Sequence, residues 1–189
     1  MPEPESTSYA YTVTVDPVNT GTVYLGCYRA QVYRSTDAGA TWALRNSGIT
    51  TGASIQGLAV SGDNADVLLA ATSAGMFRTT NAGTSWSLVG GPMTMAMAVR
   101  FSNVEPSVAY AVGYDASRVY GIYVSTDAGE TWILPTPGYV TSKGANLVLD
   151  PEDAATAYVS STVGIHRSTD QAANWHEAHT GLRIAGVSC

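Results

Sequence analysis

Three observations predict an all-β chain built from four tandem four-stranded units. The first is an internal repeat: residues 32–42, 76–86, 122–132 and 165–175 align, each running from a short apolar stretch through a tight turn to a tryptophan. The second is its period. Trp42, Trp86, Trp132 and Trp175 are spaced 44, 46 and 43 residues apart, the length of one four-stranded propeller blade. The third is composition. The 189 residues include 19 Gly and 11 Tyr, and only 13% are charged, about half the roughly 25% of ordinary soluble proteins. Amphipathic helices would carry Glu and Lys on their wet face, and Lys143 is the only lysine. The fold class that follows is an all-β β-propeller of four-stranded antiparallel blades, with blades at about 9–47, 55–90, 95–135 and 145–179.

Each unit reads in the same order. An apolar first strand is expected at 11–15, 57–60, 97–101 and 147–149. Breaker-rich turns follow, among them Asp16-Pro17, Gly62-Asp63-Asn64 and Asp150-Pro151. Second strands are expected at 22–26, 67–71, 108–112 and 157–160. The third strand holds an aromatic residue (Tyr33, Phe77, Tyr123) that becomes His166 in the fourth unit. The hairpin after it turns into a fourth strand that opens with tryptophan.

The turn residues explain themselves physically. An Asp heading a tight turn accepts hydrogen bonds from backbone N–H groups ahead of it, and Asn81 can do the same. Gly39, Gly83 and Gly129 permit a positive φ, and each Trp offers a large apolar anchor. The fourth turn has Ala172 where the others have Gly, so it is expected to be looser.

The pattern Ser/Thr-x-Asp-x-Gly-x-Thr/Ser-Trp resembles the Asp-box (BNR) repeat and covers about residues 10–180. Its matching residues here are Ser35, Asp37, Gly39 and Trp42; Asn81, Gly83 and Trp86; Asp127, Gly129 and Trp132; and Asp170 and Trp175. The resemblance implies a structural role for these residues, on the face away from any active site. It also implies a secreted or periplasmic setting and a ring of six or more blades. Two functions stay open. One is a non-catalytic binding or scaffold propeller, as in sortilin-like receptors and a photosystem II assembly factor. The other is a piece of a glycoside hydrolase of the xyloglucanase or sialidase type.

The net charge of −6 and the lack of a basic stripe argue against nucleic acid. No apolar run approaches the roughly 18 residues of a membrane span, and residues 1–6 carry no leader pattern. The chain as given is expected to be soluble and away from membranes, with an upstream segment left open. Cys27 and Cys189 make neither a disulfide framework nor a zinc site, and Cys27 reads as a core residue. His166, His176 and His179 lack metal-ligand spacing, so no metal and no cofactor are expected.

Ligands of propellers usually meet the end opposite the Asp boxes. There the second-to-third loops hold Tyr28, Arg29, Tyr114, Asp115, Arg118 and Tyr120, while connections between blades hold Met93, Met95, Tyr139 and Lys143. The third unit is longer, with 24 residues from Phe101 to Ser125 against 19 in the second and fourth units. Its extra residues offer two aromatic rings, a carboxylate and a guanidinium, a set suited to a glycan or a peptide. The plain alternative is a longer hairpin with Asp115 and Arg118 paired in solvent. Glycoside hydrolysis would need two facing carboxylates, and Asp115 and Glu177 are the acids available near that end. No catalytic residue is assigned.

Residues 181–189 resemble the start of a fifth blade. The segment is therefore expected to be either part of a larger propeller or a half that self-associates through bare blade flanks. A closed four-blade ring is the alternative.

Overall fold

The computed structural model describes residues 9–136, 146–161 and 164–181. These residues contain strands and turns and no helix. The first sheet is β1 (Ala10–Val15), β2 (Val23–Cys27), β3 (Val32–Ser35) and β4 (Ala43–Leu44). The second is β5 (Ile55–Val60), β6 (Leu68–Thr72), β7 (Gly75–Thr79) and β8 (Ser87–Leu88). The third is β9 (Met93–Phe101), β10 (Ala109–Asp115) and β11 (Tyr120–Ser125), with a single antiparallel bridge, Val124 to Ile133, in place of a fourth strand. The fourth is β12 (Asn146–Leu149), β13 (Ala157–Ser161), β14 (Gly164–Ser168) and β15 (His176–Glu177). Each sheet is an antiparallel meander in chain order.

The first strands line up from sheet to sheet: β1 packs on β5, β5 on β9 and β9 on β12. Alternation then gives every sheet two apolar flanks. Between the first and second sheets lie Tyr24, Val32, Leu58, Leu68, Phe77 and Trp86. Leu69, Met76, Val99, Ala111, Tyr123 and Trp132 fill the second joint. Tyr110, Val112, Ile122, Leu147, Val159 and Trp175 fill the third. Phe77 and Trp86, Tyr123 and Trp132, and Trp175 thus bury themselves against the sheet before their own.

Three expectations change. Met93 and Met95 are strand residues, not connection: β9 starts at Met93, which pairs with Asp115 while Met95 pairs with Tyr114. Extra length in β10 gives β9 a partner there, so the strand propagates. Trp42, unlike the other three tryptophans, is 42% exposed, because no sheet precedes the first among the described residues. The fourth turn is not looser. Ala172 takes the left-handed conformation at φ 64° and keeps the turn's hydrogen bonds. Its methyl is buried in the third joint, and that packing offsets the local strain. Tyr139, Lys143, Cys189 and the start of a fifth blade lie outside the described residues.

Candidate functional site

At one end of the sheets, four turns of one design follow the third strands. In the first, the Ser35 hydroxyl accepts the N–H groups of Gly39 (2.8 Å) and Asp37 (3.3 Å) and donates to Asp37 Oδ1 (2.7 Å). Asp37 Oδ1 also accepts the Thr41 N–H at 2.8 Å, and Oδ2 accepts the Thr41 hydroxyl at 2.6 Å. Ser125, Asp127, Gly129 and Thr131 repeat the set. In the second turn Asn81 Oδ1 accepts the Thr79 hydroxyl and the Ser85 N–H, while its Nδ2 donates to the Ser85 hydroxyl. The amide reproduces the geometry with one donor reversed. In the fourth, Asp170 accepts from the backbone and side-chain nitrogens of Asn174. The residue after each Asp or Asn is also left-handed: Ala38, Ala82, Ala128 and Gln171 have φ of 52–56°. Its N–H donates to the carbonyl of Gly21, Asp66, Ser107 or Ala155, in the first-to-second-strand turn of its own sheet. That bond ties the two turns of the end together.

The hydrogen bonds set the acidity of these carboxyls. Those from Thr41 and Ser35 bring Asp37 down to about 2. Burial opposes the shift at Asp127, but the Thr131 and Ser125 bonds outweigh it and the carboxyl stays below its ordinary value. Bonds from Asn174 and Ser168 do the same at Asp170. An acid held ionised by its own turn is poorly suited to donate a proton at neutral pH.

At the opposite end the second-to-third turns of the first and third sheets share one arrangement. The Arg118 guanidinium lies 5.4 Å from the Tyr114 ring centroid, and that of Arg29 lies 5.8 Å from Tyr28. Both arginines have positive φ, 63° and 60°. Tyr114 and Tyr120 pair across β10 and β11 with ring centroids 5.2 Å apart at 67°, an edge-to-face contact. The extra residues of the third unit lengthen this hairpin. Asp115 is not paired with Arg118: its Oδ1 caps the turn, accepting the Ser117 and Val119 N–H groups at 2.8 and 3.0 Å. The Arg-over-Tyr stacking was invisible in the sequence; an arginine one or four residues after a tyrosine at a hairpin tip was its only signal.

The remaining candidates fall elsewhere. Glu177 sits on β15, the outermost strand of its sheet, with its carboxylate 3.9 Å from His179 Nε2. His166 and His179 are buried with ring centroids 6.1 Å apart, and burial lowers the His166 pKa. Among the described residues no three His, Cys, Asp or Glu gather as metal ligands, and no helix is long and apolar enough to cross a membrane. Cys27 is buried, and burial raises its thiol pKa. A cleft of about 400 Å³ opens between β1, β5 and β9 at the end of the Ser-x-Asp turns, lined by Thr12, Thr14, Leu58, Val60 and Arg100 among others.

No family model matches the chain, and no curated protein matches it. Solved structures do. An ancestral GH74 enzyme is similar at a TM-score of 0.77 and 20% identity, over 93% of this chain and 25% of that one. YCF48 from Cyanidioschyzon merolae is similar at 0.60 and 19%, over 97% and 60%. YCF48 bound to D1 peptide is similar at 0.55 and 13%, over 91% and 82%. The chain thus spans about a quarter of the GH74 enzyme's length. It is an all-β chain with the β-propeller fold, covering part of the propellers it resembles.

Proposed function

We propose that the chain is a non-catalytic binding or scaffold module of a β-propeller, and that its ligand, a protein or a glycan, docks at the end opposite the Ser-x-Asp turns. The observation that carries this reading is the pair of arginine-capped tyrosines, Tyr28 with Arg29 and Tyr114 with Arg118, at that end of two sheets. Such a pair presents a cation and a polar ring edge, which suits carboxylates, backbone carbonyls and sugar hydroxyls. The propeller bound to D1 peptide supports a protein ligand by analogy alone.

A second reading, a fragment of a glycoside hydrolase, is favoured by the likeness to the GH74 enzyme. Hydrolysis needs two carboxylates about 5–9.5 Å apart. Asp115 is engaged in capping its turn, and Glu177 lies on an outer strand.

The test is a glycan array and a peptide array probed with the chain, beside a glycosidase panel. Tyr114→Ala with Tyr120→Ala is expected to weaken whatever binds by about tenfold or more, with the fold retained and the melting temperature lowered, since Tyr120 packs against the third joint. Binding that survives the double change overturns the site. Turnover of a β-glucan overturns the non-catalytic reading.

A further inference from the structure

By strand register Tyr33, Phe77, Tyr123 and His166 hold one position in the four sheets. Phe77 and Tyr123 are buried there in the joint with the sheet before their own. His166 pairs with Val159, which lies in the third joint, and with Glu177 on β15. It is 6% exposed. The fourth unit thus puts, at a place the others give to an uncharged ring, the one side chain whose charge changes near neutral pH.

A second imidazole lies beside the first. His179, 7% exposed, belongs to the connection after β15, and the two ring centroids are 6.1 Å apart at 81°. His179 Nδ1 is 3.3 Å from the Ile165 carbonyl oxygen on β14, and the Ala178 N–H donates to that same oxygen at 2.8 Å. Gly164, at φ 118°, makes room for the ring, since a Cβ there would fall 2.7 Å from Nδ1. The outer edge of the fourth sheet is therefore fastened to β14 beside two buried imidazoles.

The surroundings receive a proton poorly. β12 holds no ionisable residue. Tyr158 on β13 and His176 on β15 both pair with Arg167, on the face away from His166. Across the joint the third sheet offers apolar side chains with Tyr110 and Tyr120. Burial is the largest influence on His166 and holds its pKa below the ordinary 6.5; Glu177 opposes that shift and His179 adds to it. The Glu177 side chain is 74% exposed, so water screens its help. The unfolded imidazole then takes a proton before the folded one does. Stability from this site is whole above pH 6.5 and falls as pH drops through that value.

We propose that His166 is an acid-sensitive latch, whose protonation beside His179 loosens β15 and the connection after it from β14 while the first and second joints stay closed. The turn carboxyls Asp37, Asp127 and Asp170 titrate below their ordinary 3.8 and stay silent in this window.

Thermal melts of the 189-residue chain at about pH 7.5 and about pH 5 test this. The melting temperature is expected to be lower by about 3 °C or more at the acid end. His166→Phe, which installs the ring of the second unit, is expected to remove most of that drop. Amide exchange locates the change. The Ala178 N–H bond to Ile165 has counterparts in Arg45 to Val32 and Val89 to Met76, in sheets that hold no histidine. Corrected for intrinsic rate, Ala178 is expected to exchange severalfold faster on acidification, with Arg45 and Val89 unchanged. A melting temperature that does not fall, a drop that His166→Phe leaves whole, or an equal change at all three amides overturns the proposal. Should His166→Phe fail to fold, the exchange comparison on the unaltered chain decides alone.

Discussion

The hydroxyl at the head of the first turn does as much as the Asp37 carboxylate. Ser35 gathers two backbone N–H groups and donates its own proton to Asp37, which then reaches forward to Thr41. The sequence reading assigned the backbone bonds to Asp, which does accept the Thr41 N–H, and missed the two taken by Ser35, because a pattern of letters does not orient a hydroxyl. Replacing Asp37 by Ala leaves the Thr41 N–H and both hydroxyls short of an acceptor. The expected outcome is a melting temperature lower by a few degrees at pH 7, with ligand binding unchanged. The pH sign follows from the depressed carboxyl. Asp37 ionises at about 2 in the folded chain against 3.8 when free, so its contribution is whole above 3.8 and is lost as pH falls toward 2. Thermal melts of both proteins at neutral pH and near pH 3 should therefore converge on acidification. A constant gap, or lost binding with an unchanged melt, contradicts the turn role.

Strand positions were legible element by element, since alternation and breakers are local signals. β2, β6 and β13 fall within one residue of their expected bounds. The early start of β9 was not legible, because its first residues are strand only through pairing with Tyr114 and Asp115, a non-local event. Connections between sheets hide a further constraint. Gly48, after β4, has φ 91°, and a Cβ there would fall on the Trp86 carbonyl oxygen of the next sheet. Gly52, four residues on, has φ 85° with no heavy atom within 4 Å of its missing Cβ. Both substitutions to Ala incur the left-handed penalty of about 1–2 kcal/mol. Gly48→Ala adds displacement of a fixed backbone, a further ~1–3 kcal/mol. Chemical denaturation of the two variants should separate them by that margin, and equal stabilities would show that the connection gives way freely.

At the scale of the whole molecule each sheet packs on its neighbours in sequence, so stability is a sum of sheet and joint contributions. The four tryptophans measure this. Trp86, Trp132 and Trp175 are 4%, 3% and 7% exposed, and truncating Trp86 to Ala is expected to cost about 3–5 kcal/mol. Trp42→Ala is expected to cost clearly less, because Trp42 is 42% exposed among the described residues. Equal losses in urea titrations would mean that Trp42 is buried in solution. The number and order of the units were legible from the period of the repeat. The ligand end was less so, because stacking of arginine on tyrosine depends on turn conformation, which no spacing encodes.

Three directed bonds across the joints, among the described residues, end on the main chain. Arg78 reaches the carbonyl of Ala128, Tyr110 that of Ala154, and the Trp86 indole that of Arg45. A carbonyl survives any substitution of the residue that owns it. The acceptor half of each such bond is thus shielded from mutational drift, and the donor half is interchangeable, with arginine, tyrosine and tryptophan all serving. For these bonds neighbouring units can diverge without compensating changes in one another. The donors Arg78, Tyr110 and Trp86 should accordingly show little covariation with Ala128, Ala154 and Arg45 among descendants of such a repeat.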